Sequence, residues 1–300
     1  MIDLDGVARR FGERVALAAL SIHVAPGEIY GLIGPDGAGK TTALRIAAGV
    51  LEPGAGTVRL AGEDPFDERS GARELLGYMP QQYSLYGDLS LGENLAFFRE
   101  MYGLSRAAFR ARRDRLLHLT RLAPYVDRRA SALSGGMSKK LALACALLHT
   151  PKVLLLDEPT TGIDPVSRRE LWDLLHELLT EGVAIMIATP YMDEAARCHR
   201  AGMLSAGALL AEGPPATLVA AFPHPVFALH GDRAALEDTL AAQADVLAFT
   251  PAGAQLRIVV RRGRELPVLA ALEAAGAHAT PTTATFEDLF LASVRERSAA

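Results

Sequence analysis

The sequence has little cysteine and no excess of basic charge. Its two cysteines, Cys145 and Cys198, are too few for a disulfide scaffold and do not form a metal-type pair, which favours a reducing compartment. The 31 Lys and Arg residues stand against 35 Asp and Glu, for a formal net charge of −4. This balance gives no electrostatic case for a nucleic-acid partner, and we expect none.

Long hydrophobic runs are also missing. The longest apolar stretches, residues 141–148 and 153–156, are far shorter than the ~20 residues that a membrane helix needs. The first residues are acidic where a signal peptide has a basic start and an apolar run. These absences predict a chain that is neither exported nor inserted into a membrane.

What is present is a large apolar fraction in an alternating pattern. Half of the 300 residues are hydrophobic, enough for a packed core, and the length suggests about two domains. Strand-like runs at residues 29–33, 153–156 and 183–188 alternate with helical patterns, which begin near residue 41 and extend over 138–149 and 166–179. This alternation predicts an α/β fold with a largely parallel sheet.

The pattern of predicted strands and helices changes after the Gly-Pro-Pro at residues 213–215. From residue 226 to residue 280 the pattern is strand, helix, strand, strand, helix, strand, which is the split βαβ arrangement, and a last helix follows at 286–297. We therefore expect a boundary near residue 220. The predicted domains are residues 1–219 and a small α+β domain at residues 220–300.

A glycine-rich segment follows the apolar run at residues 29–33. Its residues are Gly34, Pro35, Asp36, Gly37, Ala38, Gly39, Lys40 and Thr41. They match the P-loop pattern G-x-x-x-x-G-K-[ST] at every fixed position, whereas the dinucleotide pattern G-x-G-x-x-G, counted from Gly37, fails at Thr42. Glycines let backbone N–H groups converge on phosphate oxygens, and the next helix adds its positive dipole end. We expect Lys40 to contact the β- and γ-phosphates and Thr41 to offer its hydroxyl to Mg²⁺.

Two carboxylates, Asp157 and Glu158, directly follow the apolar run at residues 153–156. Alone, such an acidic pair is more often structural than functional. Together with a P-loop it predicts one carboxylate near the Mg²⁺ shell and a second one directed at an attacking water.

A glycine pair lies between these two motifs in a segment that we call the signature segment: Leu133, Ser134, Gly135, Gly136 and Met137. Ser134 is a candidate N-cap, and the glycines free the backbone to approach an anion. Taken by itself, this segment favours an ordinary capped start of a helix.

In this order and spacing, the P-loop, the LSGG of the signature segment and the LLLDEP at residues 154–159 resemble the nucleotide-binding subunits of ABC transporters. The resemblance covers roughly residues 3–215, and other P-loop ATPases and GTPases lack the LSGG segment. It implies a P-loop NTPase sheet with an antiparallel β subdomain. It also implies a helical subdomain, at about residues 83–133, that receives the coupling helices of a membrane permease.

The resemblance also assigns roles to individual residues. Gln81 falls at the Q-loop glutamine that senses Mg²⁺ and the γ-phosphate, and Asp164 falls in the D-loop. Phe11 stands where an aromatic ring stacks on adenine, although a core phenylalanine is the alternative. The implied catalytic residues are Glu158, Gln81 and Lys40; the implied Mg²⁺ ligands are Thr41, Gln81 and Asp157; and the ATP-binding set is Phe11 with the P-loop and Thr42.

A dimer is a further implication of the resemblance. In the family arrangement, ATP lies between Lys40 of one subunit and the partner's Ser134. The dimer could be formed by two copies of this chain or by this chain and a second ATPase subunit. A signature segment delivered by the partner makes closure depend on ATP.

Three positions depart from the family pattern. Met137 replaces a glutamine, and Asp36 replaces an asparagine. In the segment at residues 188–195, which aligns with the T-H-x-x-[DE]-E-A pattern, Pro190 falls on the switch histidine. Proline has no side-chain donor and no N–H, so we expect a slower ATPase.

Three segments resemble the ATPases of ABC-2 type exporters: LYGDLSLGENL at residues 85–95, TPYMDEA at 189–195 and TATFEDLF at 283–290. The resemblance therefore implies a multidrug-type or efflux system with a separate membrane permease. It implies a cytoplasmic location, peripheral on the inner face of the cell membrane. Two alternatives stay open: a hydrolysis-impaired regulatory subunit, because of Pro190, and a non-transport ABC ATPase, against which stand the single P-loop and the absence of heptads.

Overall fold

The chain forms two compact units, Met1–Leu209 and Leu210–Ala300. The computed structural model describes residues 1–82 and 85–299. The expected start of the helical subdomain at Tyr83 therefore lies outside the described residues. Within the described part of the chain, no helix combines the length and the apolar character that a membrane crossing requires.

The first unit is built from two sheets and from helices that flank the larger one. Its strands are β1 (Ile2–Phe11), β2 (Arg14–Val24), β3 (Ile29–Ile33), β4 (Ala55–Leu60), β5 (Leu76–Met79), β6 (Val153–Asp157), β7 (Ala184–Thr189), β8 (Arg200–Ser205) and β9 (Ala208–Gly213), in which the division between the units falls. Its helices are α1 (Lys40–Ala47), α2 (Ala72–Leu75), α3 (Leu91–Met101), α4 (Arg106–Leu119), α5 (Gly135–Leu147) and α6 (Pro165–Leu179).

The larger sheet has the strand order β5-β6-β7-β3-β8-β9, and the pairs from β5 to β8 are parallel. Every residue of β3, β6 and β7 is buried, because a parallel sheet is covered on both faces. Alternate side chains of β6 enter different cores: Leu154 packs in the cluster with α5 and α6, whereas Leu155 packs in the cluster with α1 and β1. The smaller sheet is antiparallel, with the order β2-β1-β4.

The helical region between β5 and β6 is set by local capping signals. Ser90 and Glu93 form a capping box at the start of α3, and the Ser105 hydroxyl caps α4. The α/β fold with an antiparallel subdomain and a helical region, expected from the resemblance, is confirmed.

The second unit contains the predicted split βαβ order. Its elements are α7 (Pro215–Ala220), β10 (Val226–His230), α8 (Arg233–Ala242), β11 (Val246–Ala252), β12 (Gln255–Val260), α9 (Glu265–Ala274), β13 (His278–Thr282) and α10 (Phe286–Ala299). The sheet order is β11-β12-β10-β13, with antiparallel pairs throughout. Ile258 faces the core that includes Leu272 of α9, whereas its neighbour Val259 packs against Ala292 of α10.

A buried ion pair fixes the start of α10. The Asp288 carboxylate accepts hydrogen bonds from the Thr285 backbone N–H at 2.7 Å and from the Thr285 hydroxyl at 2.8 Å. The Arg257 guanidinium of β12 donates to the same carboxylate at 2.6 Å. Asp288, the second of the two acidic residues in the TATFEDLF segment, thus joins the last helix to the sheet.

Candidate nucleotide-binding site

Three motif-bearing loops leave the larger sheet at the same edge. Strand β7 lies between β3 and β6, and Ile33 pairs with Thr189 while Asp157 pairs with Ala188. The Gly34 N–H donates to the Thr189 carbonyl at 3.3 Å, and the Glu158 N–H donates to the Ala188 carbonyl at 2.9 Å. Parallel strands end at one edge of a sheet, so the P-loop and the acidic pair become neighbours although more than a hundred residues separate them.

The P-loop connects β3 to α1 through a left-handed turn at Gly39. Gly39 has φ +111°, and a Cβ there would lie 2.4 Å from the Ala16 carbonyl oxygen, so the turn requires glycine. Helix α1 begins at Lys40 without a side-chain cap. Its first N–H groups therefore remain available to an anion.

The Lys40 ammonium group lies within this loop. Its Nζ donates to the carbonyls of Gly34 at 2.7 Å and Pro35 at 2.9 Å, and the side chain is buried. Burial lowers the pKa of Lys40, and the neighbouring carboxylates, Glu158 foremost, oppose that shift. The loop thus holds a cation close to Asp157, the last residue of β6, and to Glu158, which follows it.

Most of the predicted ATP-binding residues line one cavity of about 480 Å³, whereas Gly34, Pro35 and Ala38 of the P-loop are not among the described residues that line it. It is lined by Phe11, Arg14, Ala16, Asp36, Gly37, Gly39, Lys40, Thr41, Thr42, Gln81 and Glu158. Arg14 and Ala16 are the lining residues that sequence reasoning missed, since neither belongs to a motif. The Arg14 guanidinium donates to the Gly37 carbonyl at 3.2 Å, so this side chain reaches across to the P-loop.

Asp157 and Thr41 form a partly buried oxygen pair beside the cavity. The Thr41 hydroxyl donates to Asp157 Oδ1 at 3.1 Å, and Asp157 Oδ2 is buried with no hydrogen-bond partner among the described residues. Burial raises the pKa of Asp157, and the Thr41 hydrogen bond opposes that shift. Hard oxygen ligands of this kind suit Mg²⁺, and Gln81 lines the same cavity, so the predicted ligand set fits the ion.

Glu158 lines the cavity from a constrained backbone position. Its side chain is 6% exposed, and its φ of +51° is unusual for a residue other than glycine. The Thr161 hydroxyl donates to Glu158 Oε2 at 3.1 Å, and the Lys139 Nζ donates to the Glu158 carbonyl at 2.8 Å. The carboxylate is therefore oriented by contacts on its side chain and on its backbone.

The signature segment and the D-loop are at the starts of two packed helices. Ser134 Oγ accepts from the Met137 N–H at 3.3 Å, so the predicted N-cap is confirmed at the start of α5. Asp164 Oδ1 accepts from the Ser167 N–H at 2.9 Å and caps α6. A Cβ on Gly136 would lie 2.5 Å from Ser167 Oγ, which explains this glycine by close approach. In the part of the chain that the structure describes, residues 133–137 and Asp164 do not line the cavity.

Pro190 follows β7 directly, at the strand end between the P-loop strand and the acidic strand. The segment after it is held by α6: Arg168 Nε donates to Glu194 Oε1 at 2.8 Å, and Trp172 Nε1 donates to the same oxygen at 3.2 Å. Pro190 is not one of the described residues that line the cavity. Its side chain also has no hydrogen-bond donor.

Sequence comparisons relate the chain to transport ATPases. The family model described as "ABC transporter" matches residues 17–161. The chain is 45% identical over 244 residues to Nod factor export ATP-binding protein I of Paraburkholderia xenovorans (strain LB400), covering 80% of each chain. It is 44% identical over 220 residues to probable multidrug ABC transporter ATP-binding protein YbhF of Escherichia coli (strain K12), covering 73% of this chain and only 38% of that protein.

Solved structures give the same relationship. A structure described as the ATP-binding subunit of an ABC transporter is 28% identical, with a TM-score of 0.66 over 73% of this chain and 91% of that one. A dimeric ATP-binding cassette in a post-hydrolysis state, bound to ADP and Pi, is 26% identical, with a TM-score of 0.64 over 71% of this chain and 98% of that one. With its P-loop, acidic strand end and signature segment, the chain therefore belongs to the family of ABC transporter ATP-binding proteins.

Proposed function

We propose that this chain is the ATP-binding subunit of an ABC exporter, and that it hydrolyses MgATP in a head-to-tail dimer to drive export through a separate membrane permease. The observation that carries the proposal is the single cavity at which the P-loop, Gln81 and Glu158 meet. The relatives named for multidrug transport and Nod factor export support an exporter. We assign the ATPase to residues 1–219 and an accessory role to residues 220–300.

In this proposal the P-loop holds the phosphates of ATP. Its backbone N–H groups and the start of α1 bind the phosphate oxygens, and Lys40 supplies the cation for the β- and γ-phosphates. Phe11 offers an aromatic face for the adenine; it is 48% exposed, which argues against the alternative of a core phenylalanine. The binding energy thereby orients the γ-phosphate toward Glu158.

Thr41, Asp157 and Gln81 would hold Mg²⁺, which neutralises phosphate charge when it is bound. The unpartnered Asp157 Oδ2 supports this assignment. Glu158 accepts the proton of the attacking water, because its carboxylate lines the cavity and is oriented by Thr161.

The signature segment is proposed to act on the partner's nucleotide. Ser134 and Gly135 are exposed at the start of α5, where the N–H groups and the helix dipole favour an anion. Asp164 is exposed at the start of the adjacent α6. Both a homodimer and a pair with a second ATPase subunit satisfy this arrangement.

An exposed apolar patch on the helical region supports permease docking. Tyr86, Phe97 and Met101 are 48%, 39% and 57% exposed, and the rings of Tyr86 and Phe97 lie 4.5 Å apart. Large apolar side chains exposed together mark interaction surfaces. A permease bound here would hold the chain at the inner face of the cell membrane, and we propose no nucleic-acid partner.

Pro190 supports a second candidate function, a regulatory subunit in which hydrolysis is impaired. Proline offers no donor to the γ-phosphate. If the chain is an enzyme, we therefore propose that it hydrolyses ATP more slowly than it would with histidine at this position. Steady-state phosphate release from the wild type separates the two functions. Turnover that Lys40→Ala abolishes supports the enzyme, and its absence supports the regulatory subunit.

The proposal is tested by calorimetric titration of Lys40→Ala with MgATP. Because Lys40 is the cation within the P-loop, this variant should lose detectable binding. Lys152→Ala is the matched control, since Lys152 is exposed and outside the cavity, and it should bind as the wild type does. Equal affinity of Lys40→Ala and wild type would contradict the nucleotide site.

A further inference from the structure

Helix α5 carries a buried lysine that contacts the backbone of the candidate general base. Lys139 is 8% exposed, and its Nζ donates to the Glu158 carbonyl at 2.8 Å. Taking an ammonium group out of water is unfavourable unless it is hydrogen-bonded, so a lysine retained here needs a compensating partner. The partner that the structure gives it is the peptide that carries Glu158.

That peptide has an unfavourable conformation. Glu158 has φ +51°, and residues with a Cβ enter this region only where their surroundings impose it. Its N–H is bonded to the Ala188 carbonyl at 2.9 Å, and its carbonyl accepts from Lys139 and, at 3.3 Å, from the Thr161 N–H. Ala188 of β7 and Lys139 of α5 come from other structural elements, and Lys139 is the partner in this set that carries a full charge.

The neighbouring lysine has a different partner. Lys140 is equally buried at 8% exposure, yet its Nζ pairs with the Glu170 carboxylate of α6. Arg121 also pairs with Glu170 at 2.6 Å. Lys140 therefore joins α5 to α6, whereas Lys139 contacts the backbone of Glu158, and the two can be compared on one helix.

We propose that Lys139 is a positioning residue that holds Glu158 in its left-handed conformation and so directs the carboxylate into the cavity. The inference rests on the proposed function, in which Glu158 accepts the proton of the attacking water. Because α5 begins at the signature segment, Lys139 also links the helix that meets the partner's nucleotide to the base of its own site.

The test compares Lys139→Met, Lys139→Gln and Lys140→Met in the 300-residue chain, with wild type alongside. Steady-state hydrolysis gives kcat and KM for MgATP. Amide hydrogen exchange of a peptide covering residues 153–163 gives a readout that does not depend on turnover. Thermal unfolding of each variant reports whether the fold is retained.

We expect Lys139→Met to lower kcat about 10- to 100-fold, the range for a lost hydrogen bond to a charged group, with KM nearly unchanged because Lys139 does not line the cavity. Exchange in the 153–163 peptide should rise. Lys139→Gln keeps a donor and should recover part of kcat. Lys140→Met should change kcat and the exchange of the 153–163 peptide by no more than about twofold, because Lys140 contacts Glu170 and not Glu158.

Two results would overturn the inference: wild-type kcat and exchange in Lys139→Met, or equal losses in Lys139→Met and Lys140→Met, which would indicate only helix stability. If Lys139→Met does not fold, the decision passes to Lys139→Gln. Wild-type kcat with faster exchange in that variant would also reject the role. Failure of the proposed function would give a different result: the wild type would show no ATP hydrolysis that depends on Lys40. The hydrogen-exchange comparison would then still decide whether Lys139 holds the peptide at residues 153–163.

Discussion

The two units of the chain bury different numbers of polar side chains. Among the described residues of the second unit, Asp288 is the buried polar side chain, and its carboxylate is bonded to Arg257 and Thr285. In the first unit the buried polar side chains are Lys40, Asn94, Thr120, Lys139, Lys140, Asp157, Glu158, Thr160, Thr189 and Glu194. Most of these are gathered at or behind one edge of the larger sheet.

The two units also differ in whether their buried polar atoms have hydrogen-bond partners. Asp157, Thr160 and Glu194 each keep a buried oxygen without a hydrogen-bond partner among the described residues. Such atoms are unfavourable for folding, and native proteins keep them mainly where a ligand or a function compensates. Part of the buried polarity of the first unit is therefore left open to a ligand, whereas the buried carboxylate of the second unit is satisfied by the protein itself.

Glu158→Gln is the strongest test of whether the buried polar groups of the first unit serve catalysis. The amide keeps the shape of the carboxylate and removes the base, so kcat should fall about 10²–10⁴-fold. ATP binding should persist, and an ATP-bound dimer should accumulate in light scattering. Glu74→Gln, on an exposed residue of the same unit, is the control. A monomer at saturating MgATP, with permease co-expressed, would contradict the dimer.

A gain of activity is expected at Pro190. One preorganised donor to developing charge is worth about 10²–10³ in rate, so Pro190→His should raise kcat up to that range with ATP affinity nearly unchanged. The gain should vanish in a Glu158→Gln background. No gain, with wild-type turnover already in the ordinary range of ~1–10³ s⁻¹, would mean that this chain positions its water by other groups.

The architectural half of the comparison is tested by Asp288→Ala. Removing one partner of a buried ion pair costs about 3 kcal/mol, toward the lower end of the usual range because Arg257 keeps some exposure. Chemical denaturation should show earlier unfolding of the second unit, and MgATP affinity should stay at the wild-type value. Loss of nucleotide binding would refute the separation of roles.

Arg14 gives the smallest expected effect. Its guanidinium lines the cavity and is exposed, so Arg14→Ala should weaken MgATP binding about tenfold or less in calorimetry. Arg10→Ala is matched to it, because Arg10 is also exposed and donates to the Glu13 carbonyl outside the cavity. If both variants bind alike, Arg14 has no role in the site.

Local signals carried most of the fold and of the nucleotide site. The buried strands, the P-loop and the split βαβ order each depend on residues that are adjacent in the sequence, so they could be predicted. Two signals disagreed at the start of α5: the apolar pattern pointed to residue 138, whereas the predicted Ser134 cap carries the helix through two glycines from Gly135. Helix capping outweighed intrinsic propensity there.

Contacts between distant elements were out of reach of the sequence. Lys139 meets Glu158 because α5 and β6 share one hydrophobic core cluster, and nothing in the spacing of 19 residues indicates this contact. Arg14 enters the cavity because β2 begins beside the P-loop. The motifs predicted which chemistry is present, whereas packing decides which further side chains orient it.

Trp172 gives the molecule a built-in optical probe. It is the only tryptophan in the chain, it is fully buried, and its Nε1–H donates to Glu194 in the segment that follows Pro190. It also lies on α6, the helix that Asp164 caps. Any rearrangement of that segment during turnover changes the surroundings of this one indole, so its emission can be followed in stopped flow without attaching a dye.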